Sequence, residues 1–125
     1  MVLERVMEEI RAGLEGRIQG QLSGLQGFVV GPLYNSMMPL HVEMSLPPDV
    51  FEFVFLKDGA VKLSHGFGSN VDLRIESDAK TFISLFQKPS TEAFNELERD
   101  GKIRITPLTR KGKDTEGYIR KYLAR

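Results

Sequence analysis

Val50-Phe51-Glu52-Phe53-Val54-Phe55-Leu56-Lys57-Asp58-Gly59-Ala60-Val61-Lys62-Leu63-Ser64-His65 decides the fold class of this 125-residue chain. Phe51, Phe53 and Phe55 recur at every second position, the spacing that sends side chains to one face of a strand. Glu52, Val54 and Leu56 take the other face. The strand ends apolar on both sides, so a central place in its sheet is expected. Asp58-Gly59 is a strong hairpin-turn signal. Val61, Leu63 and His65 then alternate with Lys62 and Ser64, and the stretch reads as a β-hairpin with an aromatic face.

Upstream, Leu40, Val42, Met44 and Leu46 alternate with His41, Glu43 and Ser45, a half-buried strand that Pro47-Pro48-Asp49 turns around. Before it, Phe28-Val29-Val30 is short and β-rich, and Gly31-Pro32 breaks it. Downstream, Gly66-Phe67-Gly68-Ser69-Asn70 reads as a loop. Val71, Leu73 and Ile75 then oppose Asp72, Arg74 and Glu76 on a further strand. Ser77 or Asp78 can cap a helix running to about Gln87, with Ala79, Phe82, Ile83 and Phe86 on one side. Pro89 stops it. Ser90 can cap the next helix, whose stripe is Ala93, Phe94 and Leu97, and Asp100-Gly101 ends it with glycine past the last turn. Ile103 and Ile105 mark a returning strand. Pro107 to Lys113 reads as a basic loop, and residues 115–124 as a last amphipathic helix.

The N-terminal residues 2–12 have helical spacing in Leu3, Val6, Met7, Ile10 and Leu14, continued by Ile18, Leu22 and Leu25. Glycines at 13, 16, 20, 24 and 27 share the opposite face, and each costs a helix about 1 kcal/mol relative to alanine. Either the helix ends near Gly13, or a long, weak helix keeps a glycine face for close approach of another backbone, including a second copy of the chain. The long helix is the preferred reading. The element order predicts an α+β fold, one domain over residues 1–125, with helices on one face of a largely antiparallel sheet.

Composition narrows the chemistry. There is no cysteine, and the two histidines, His41 and His65, are far apart in sequence. No disulfide, thiolate metal site or cysteine nucleophile can form, and no metal or cofactor is expected. Ser64 and His65 are neighbours on a strand and point to opposite faces. No Gly-x-Ser-x-Gly elbow exists, and Val71 stands where a dinucleotide fingerprint after Gly66 and Gly68 needs glycine. Glu43, Glu52, Asp72 and Glu76 are expected on the solvent face of the sheet, opposite Lys62 and Arg74. These readings disfavour an enzyme. No apolar run approaches the roughly 18 residues of a membrane span, and acids interrupt the N-terminal apolar pattern, so a cytoplasmic protein is expected. Zero net charge hides an uneven distribution: residues 102–125 hold eight Lys or Arg against Asp114 and Glu116. That segment can meet an anionic membrane surface or neutralise the acidic remainder. Its aromatics are too few to suggest nucleic acid.

The residues Phe53-Val54-Phe55-Leu56-Lys57-Asp58-Gly59, Val71-Asp72-Leu73-Arg74-Ile75-Glu76-Ser77-Asp78, Phe82, Leu85, Ala93-Phe94 and Gly101-Lys102-Ile103-Arg104-Ile105 resemble the sterol carrier protein type 2 family over roughly half the chain. The resemblance implies a five-stranded sheet and an apolar tunnel between sheet and helices, holding an acyl chain, a sterol-like or an isoprenoid lipid. Its walls would be Phe51, Phe53 and Phe55 from the sheet, with Phe82, Leu85, Phe86, Phe94 and Leu97 from the helices. Ile103 and Ile105 would form the floor, and Tyr118, Ile119 and Tyr122 a lid. The glycine-spaced segment and the basic stretch after Ile105 depart from the family pattern. On the residues alone, aromatics at strand and helix spacing more often make a filled core than a cavity. The alternative is therefore an interaction module that self-associates or presents a lipid-linked substrate to an enzyme.

Overall fold

The computed structural model describes residues 2–23, 34–88 and 90–123, with side chains over 3–23, 34–88 and 90–117. The strand expected at Phe28–Val30 lies outside these residues. Five strands, β1 (Leu40–Leu46), β2 (Asp49–Phe55), β3 (Val61–His65), β4 (Leu73–Ser77) and β5 (Ile103–Pro107), form one sheet in the order β3-β2-β1-β4-β5. The longer helices are α1 (Val2–Ser23), α2 (Ala79–Gln87), α3 (Thr91–Arg99) and α4 (Arg110–Leu123), and residues 34–37 are also helical.

The two hairpins form as their turn residues dictate. Pro47-Pro48 joins β1 to β2 with Leu46 opposite Asp49. Asp58 and Gly59 take φ of 64° and 86° in the β2–β3 turn. Gly59 also lies against α1, where an added Cβ would stand 2.8 Å from the Gln19 side chain. The sheet is mixed: β1 and β4 are parallel, with Val42 opposite Leu73 and Met44 opposite Ile75. The other neighbours pair antiparallel. Because β4 joins β1 and not β3, residues 66–72 must pass across β2 and β1 to reach it.

In-register apolar rows build the core. Leu40, Val42, Met44 and Leu46 of β1 share a face with Phe51 and Phe53 of β2, Leu73 of β4, and Ile103 and Ile105 of β5. Leu3 and Met7 of α1 and Phe94 of α3 are buried on the same cluster. Burial of such side chains contributes about 1.5–3 kcal/mol each, which outweighs the glycine penalties in α1. That helix accordingly runs through Ser23. Gly13, Gly16 and Gly20 have nothing within 4 Å of an added Cβ, so among the described residues nothing packs on this part of the glycine face.

β3 is an edge strand, and α1 covers part of that edge. Glu15 Oε2 accepts from the Val61 amide at 2.8 Å, and Arg11 Nη1 donates to the Val61 carbonyl at 3.0 Å. Both outward polar groups of Val61 are thus satisfied by one pair of side chains, a protected edge.

Two sequence expectations are corrected here. Glu43, Glu52 and Asp72 are buried, 3%, 8% and 4% exposed, and do not line a solvent face. The crossing loop explains Glu52: Gly68 packs so closely on its carboxylate that a Cβ would overlap it. Glu43 accepts from Arg74 Nε on the adjacent parallel strand. The second correction concerns the C-terminal segment. The stretch expected to remain a loop up to Lys113 is helical from Arg110. The Thr109 hydroxyl accepts from the Gly112 amide at 3.1 Å, and its carbonyl accepts from Lys113 at 3.0 Å. Thr109 therefore caps α4. Gly112 is buried with its Cα against the Asp72 carbonyl, where no side chain fits.

Candidate functional site

The two short helices α2 and α3 form the most distinctive surface of the molecule. Asp78 starts α2: its Oδ1 accepts from the Thr81 amide at 2.8 Å and its Oδ2 from the Thr81 hydroxyl at 2.6 Å. The i, i+3, i+4 spacing then sets Phe82, Leu85 and Phe86 on one side. Ser90 starts α3, its Oγ accepting from the Ala93 amide at 3.2 Å. Gly101, at φ 75°, ends it. The Gly101 amide donates to the Glu98 carbonyl and the Lys102 amide to the Leu97 carbonyl, the Schellman pattern. These caps fix where the apolar sides of both helices face.

Ile10, Phe82, Leu85, Phe86, Ser90, Thr91 and Phe94 line a cavity of about 340 Å3 between α1, α2 and α3. Among the described residues its wall is overwhelmingly apolar, and its polar side chains are Ser90 and Thr91. Phe86 is 41% exposed, so the cavity is a groove with an aromatic rim.

The aromatics expected to form one tunnel divide between two places. Phe82, Leu85, Phe86 and Phe94 gather around the groove. Phe51, Phe53, Ile103 and Ile105 are buried in the packed core, while Phe55 and Leu97 pack against it. None of these six is among the groove-lining residues. The side chains of Tyr118, Ile119 and Tyr122 lie outside the described residues. Sequence reasoning missed Ile10, Ser90 and Thr91. Ile10 belongs to the helical pattern of α1, but periodicity does not say which neighbouring helices a residue meets. Ser90 was visible as a cap without its second position beside the cavity.

The remaining candidate groups serve the structure. The His65 ring stacks on Phe51 at 4.6 Å, with Nε2 3.1 Å from Asp49 and Nδ1 3.3 Å from Glu4. His41 Nδ1 faces Glu52 Oε2 at 3.4 Å. Lys111, in the basic stretch after Pro107, donates to the Pro39 carbonyl at 2.7 Å. Among the described residues no cluster of His, Cys, Asp or Glu could hold a metal ion, and no helix is long and apolar enough to cross a membrane.

The groove depends on α2, and α2 on its cap. The hydroxyl and amide of Thr81 hold the Asp78 carboxyl below the ordinary 3.8. A lowered folded value stabilises above the ordinary value, and that contribution disappears as pH falls through the lowered one. Asp78→Ala is expected to cost about 1 kcal/mol at pH 7. In urea titrations the gap to the parent should close as pH drops below 3.8. A gap independent of pH would show that the carboxylate is not the stabilising group.

Comparison with solved structures places this architecture. A chain described as a UbiJ-SCP2 ubiquinone synthesis protein superposes with a TM-score of 0.53 at 10% identity, over 90% of this chain and 94% of that one. The chain has the sterol carrier protein type 2 fold. Sterol carrier protein 2 of Yarrowia lipolytica is 11% identical over 89% of this chain and 90% of that one, with a TM-score of 0.43. Palmitated sterol carrier protein 2-like 2 of Aedes aegypti is 14% identical over 88% and 90%, with a TM-score of 0.46. No protein-family model matches the sequence, and a search of curated proteins gives no significant match. The sterol-carrier fold is thus shared at a sequence distance where only the architecture is comparable.

Proposed function

We propose that this chain is a single-domain, non-enzymatic lipid-binding or lipid-transfer protein. It would hold an acyl, sterol-like or isoprenoid chain in the groove between α1, α2 and α3. The observation that carries the reading is the apolar cavity of about 340 Å3 walled by Phe82, Leu85, Phe86, Phe94 and Ile10. That volume falls at the lower end of the range of about 300–1,000 Å3 usual for ligand pockets, enough for one chain. Ten methylenes buried there would contribute about 8 kcal/mol before the costs of ordering. The sterol-carrier fold supports the same reading. Residues 102–125, with eight Lys or Arg against two acids, suit contact with an anionic membrane surface from which a chain would enter.

The test uses N-phenylnaphthylamine, an uncharged probe that brightens in apolar surroundings. Phe86→Arg puts a charge at the rim of the groove, on a half-exposed position outside the core. Its urea midpoint should shift little, while probe affinity falls at least about tenfold, a loss of about 1.4 kcal/mol. Undiminished probe binding by the folded variant would reject the groove as the site.

Self-association is the second reading, and the open face at Gly13, Gly16 and Gly20 favours it. A monomeric mass at all concentrations in sedimentation would set it aside.

A further inference from the structure

The walls of the groove are not anchored alike. Among the described residues α1 buries Leu3 and Met7, α3 buries Phe94 and α4 buries Gly112, whereas α2 buries no residue. Its Ala79, Phe82, Ile83 and Leu85 are half-buried against the core, and Phe86 is exposed. Half-covered side chains contribute less than buried ones, because the gain follows the apolar area removed from water. The hydrogen bonds at the ends of α2 are local. Asp78 holds the amide and hydroxyl of Thr81, and the Lys88 amide donates to the Ser84 carbonyl. Among the described residues no hydrogen bond ties α2 to the sheet as Arg11 and Glu15 tie α1 to Val61. A segment held this way opens at a lower free energy than the whole fold.

We infer that α2 is a lid over the groove: it swings out as one piece to admit an apolar chain and closes again on the chain once bound. The inference rests on the proposed function and adds a gate to the same site. The backbone leaves the helical conformation at Asp78 and at Lys88, and rotation at such element-terminal residues moves a helix without unwinding it. Phe82, Leu85 and Phe86 of α2 form one wall, and Ile10 and Phe94 stand on the helices opposite. A chain between them gives the half-covered face of α2 the apolar partner it lacks. The ligand therefore favours the closed lid over the open one, which is the differential affinity that closure requires.

Two measurements on the whole protein test this. In hydrogen–deuterium exchange read by mass spectrometry, the amides of Ala79–Gln87 should exchange severalfold faster than those of Thr91–Arg99, a helix of the same length. Saturating N-phenylnaphthylamine should remove most of that difference. Stopped-flow mixing then reads how fast the probe enters. Ile83 and Leu97 both pack against the core and neither lines the groove. Ile83→Ala loosens α2 and should speed probe entry severalfold, whereas Leu97→Ala loosens α3 and should leave the entry rate near that of the parent. Equal entry rates in all three proteins, or equal acceleration by both variants, would overturn the lid and leave the groove standing. So would exchange in α2 that is as slow as in α3 and indifferent to bound probe, a result that needs no variant to fold. Absence of probe binding by the parent would overturn the groove itself, and the lid with it.

Discussion

Gly112→Ala is expected to destabilise the protein by about 3 kcal/mol or more. Gly112 is in the first turn of α4, and a Cβ there would overlap the Asp72 carbonyl. That carbonyl cannot yield, because it accepts from the Leu108 amide at 2.8 Å and the Thr109 amide at 3.3 Å. The helix would have to lift off β4 and lose its cap. Gly117, five residues further along the same helix, is exposed with nothing within 4 Å. Gly117→Ala should therefore stabilise by up to about 1 kcal/mol. Urea unfolding of both variants checks the pair. Two changes of the same sign would mean that α4 does not pack on Asp72 as described.

Asp72→Ala should cost about 3 kcal/mol, because two hydrogen bonds to one buried carboxylate are lost together. Oδ2 accepts from the His41 amide at 2.9 Å and Oδ1 from the Thr109 hydroxyl at 2.7 Å. The Asp72 amide in turn donates to the His41 carbonyl at 2.9 Å. One side chain thus joins the start of β1, the entry to β4 and the cap of α4. Asp72→Asn retains an oxygen for His41 and offers an amide to Thr109, so it should lose less than half as much. Equal losses for both variants in urea would show that the negative charge, and not the hydrogen-bond geometry, holds this junction.

How much was legible follows from what each residue pattern encodes. Phe51 to His65 showed its hairpin in full, because alternation and Asp58-Gly59 are local signals. Ser90 and Gly101 marked the ends of α3 for the same reason. The parallel pairing of β1 with β4 was not legible, since nothing in Val71 to Glu76 states which neighbour it joins. The burial of Glu43 and Glu52 follows from that pairing: Arg74 reaches Glu43 only across the parallel register, and Gly68 covers Glu52 only because the loop crosses the sheet. Gly112 read as a loop residue because glycine marks loops and close approaches alike. The site was half legible. Phe82, Leu85, Phe86 and Phe94 lie together around the groove, while the sheet aromatics named with them pack in or against the core. Period-two and helical spacings both report an inward face, and neither distinguishes a filled interior from a lined space.

The central claim is that the groove holds an apolar chain. Native mass spectrometry of the protein, purified without detergent under mild conditions, tests it most directly. A bound species should add a few hundred daltons to part of the population and leave on denaturation. It should be absent from Phe86→Arg purified the same way. A bare polypeptide mass in both samples, with no brightening of N-phenylnaphthylamine by the parent protein, would contradict the account.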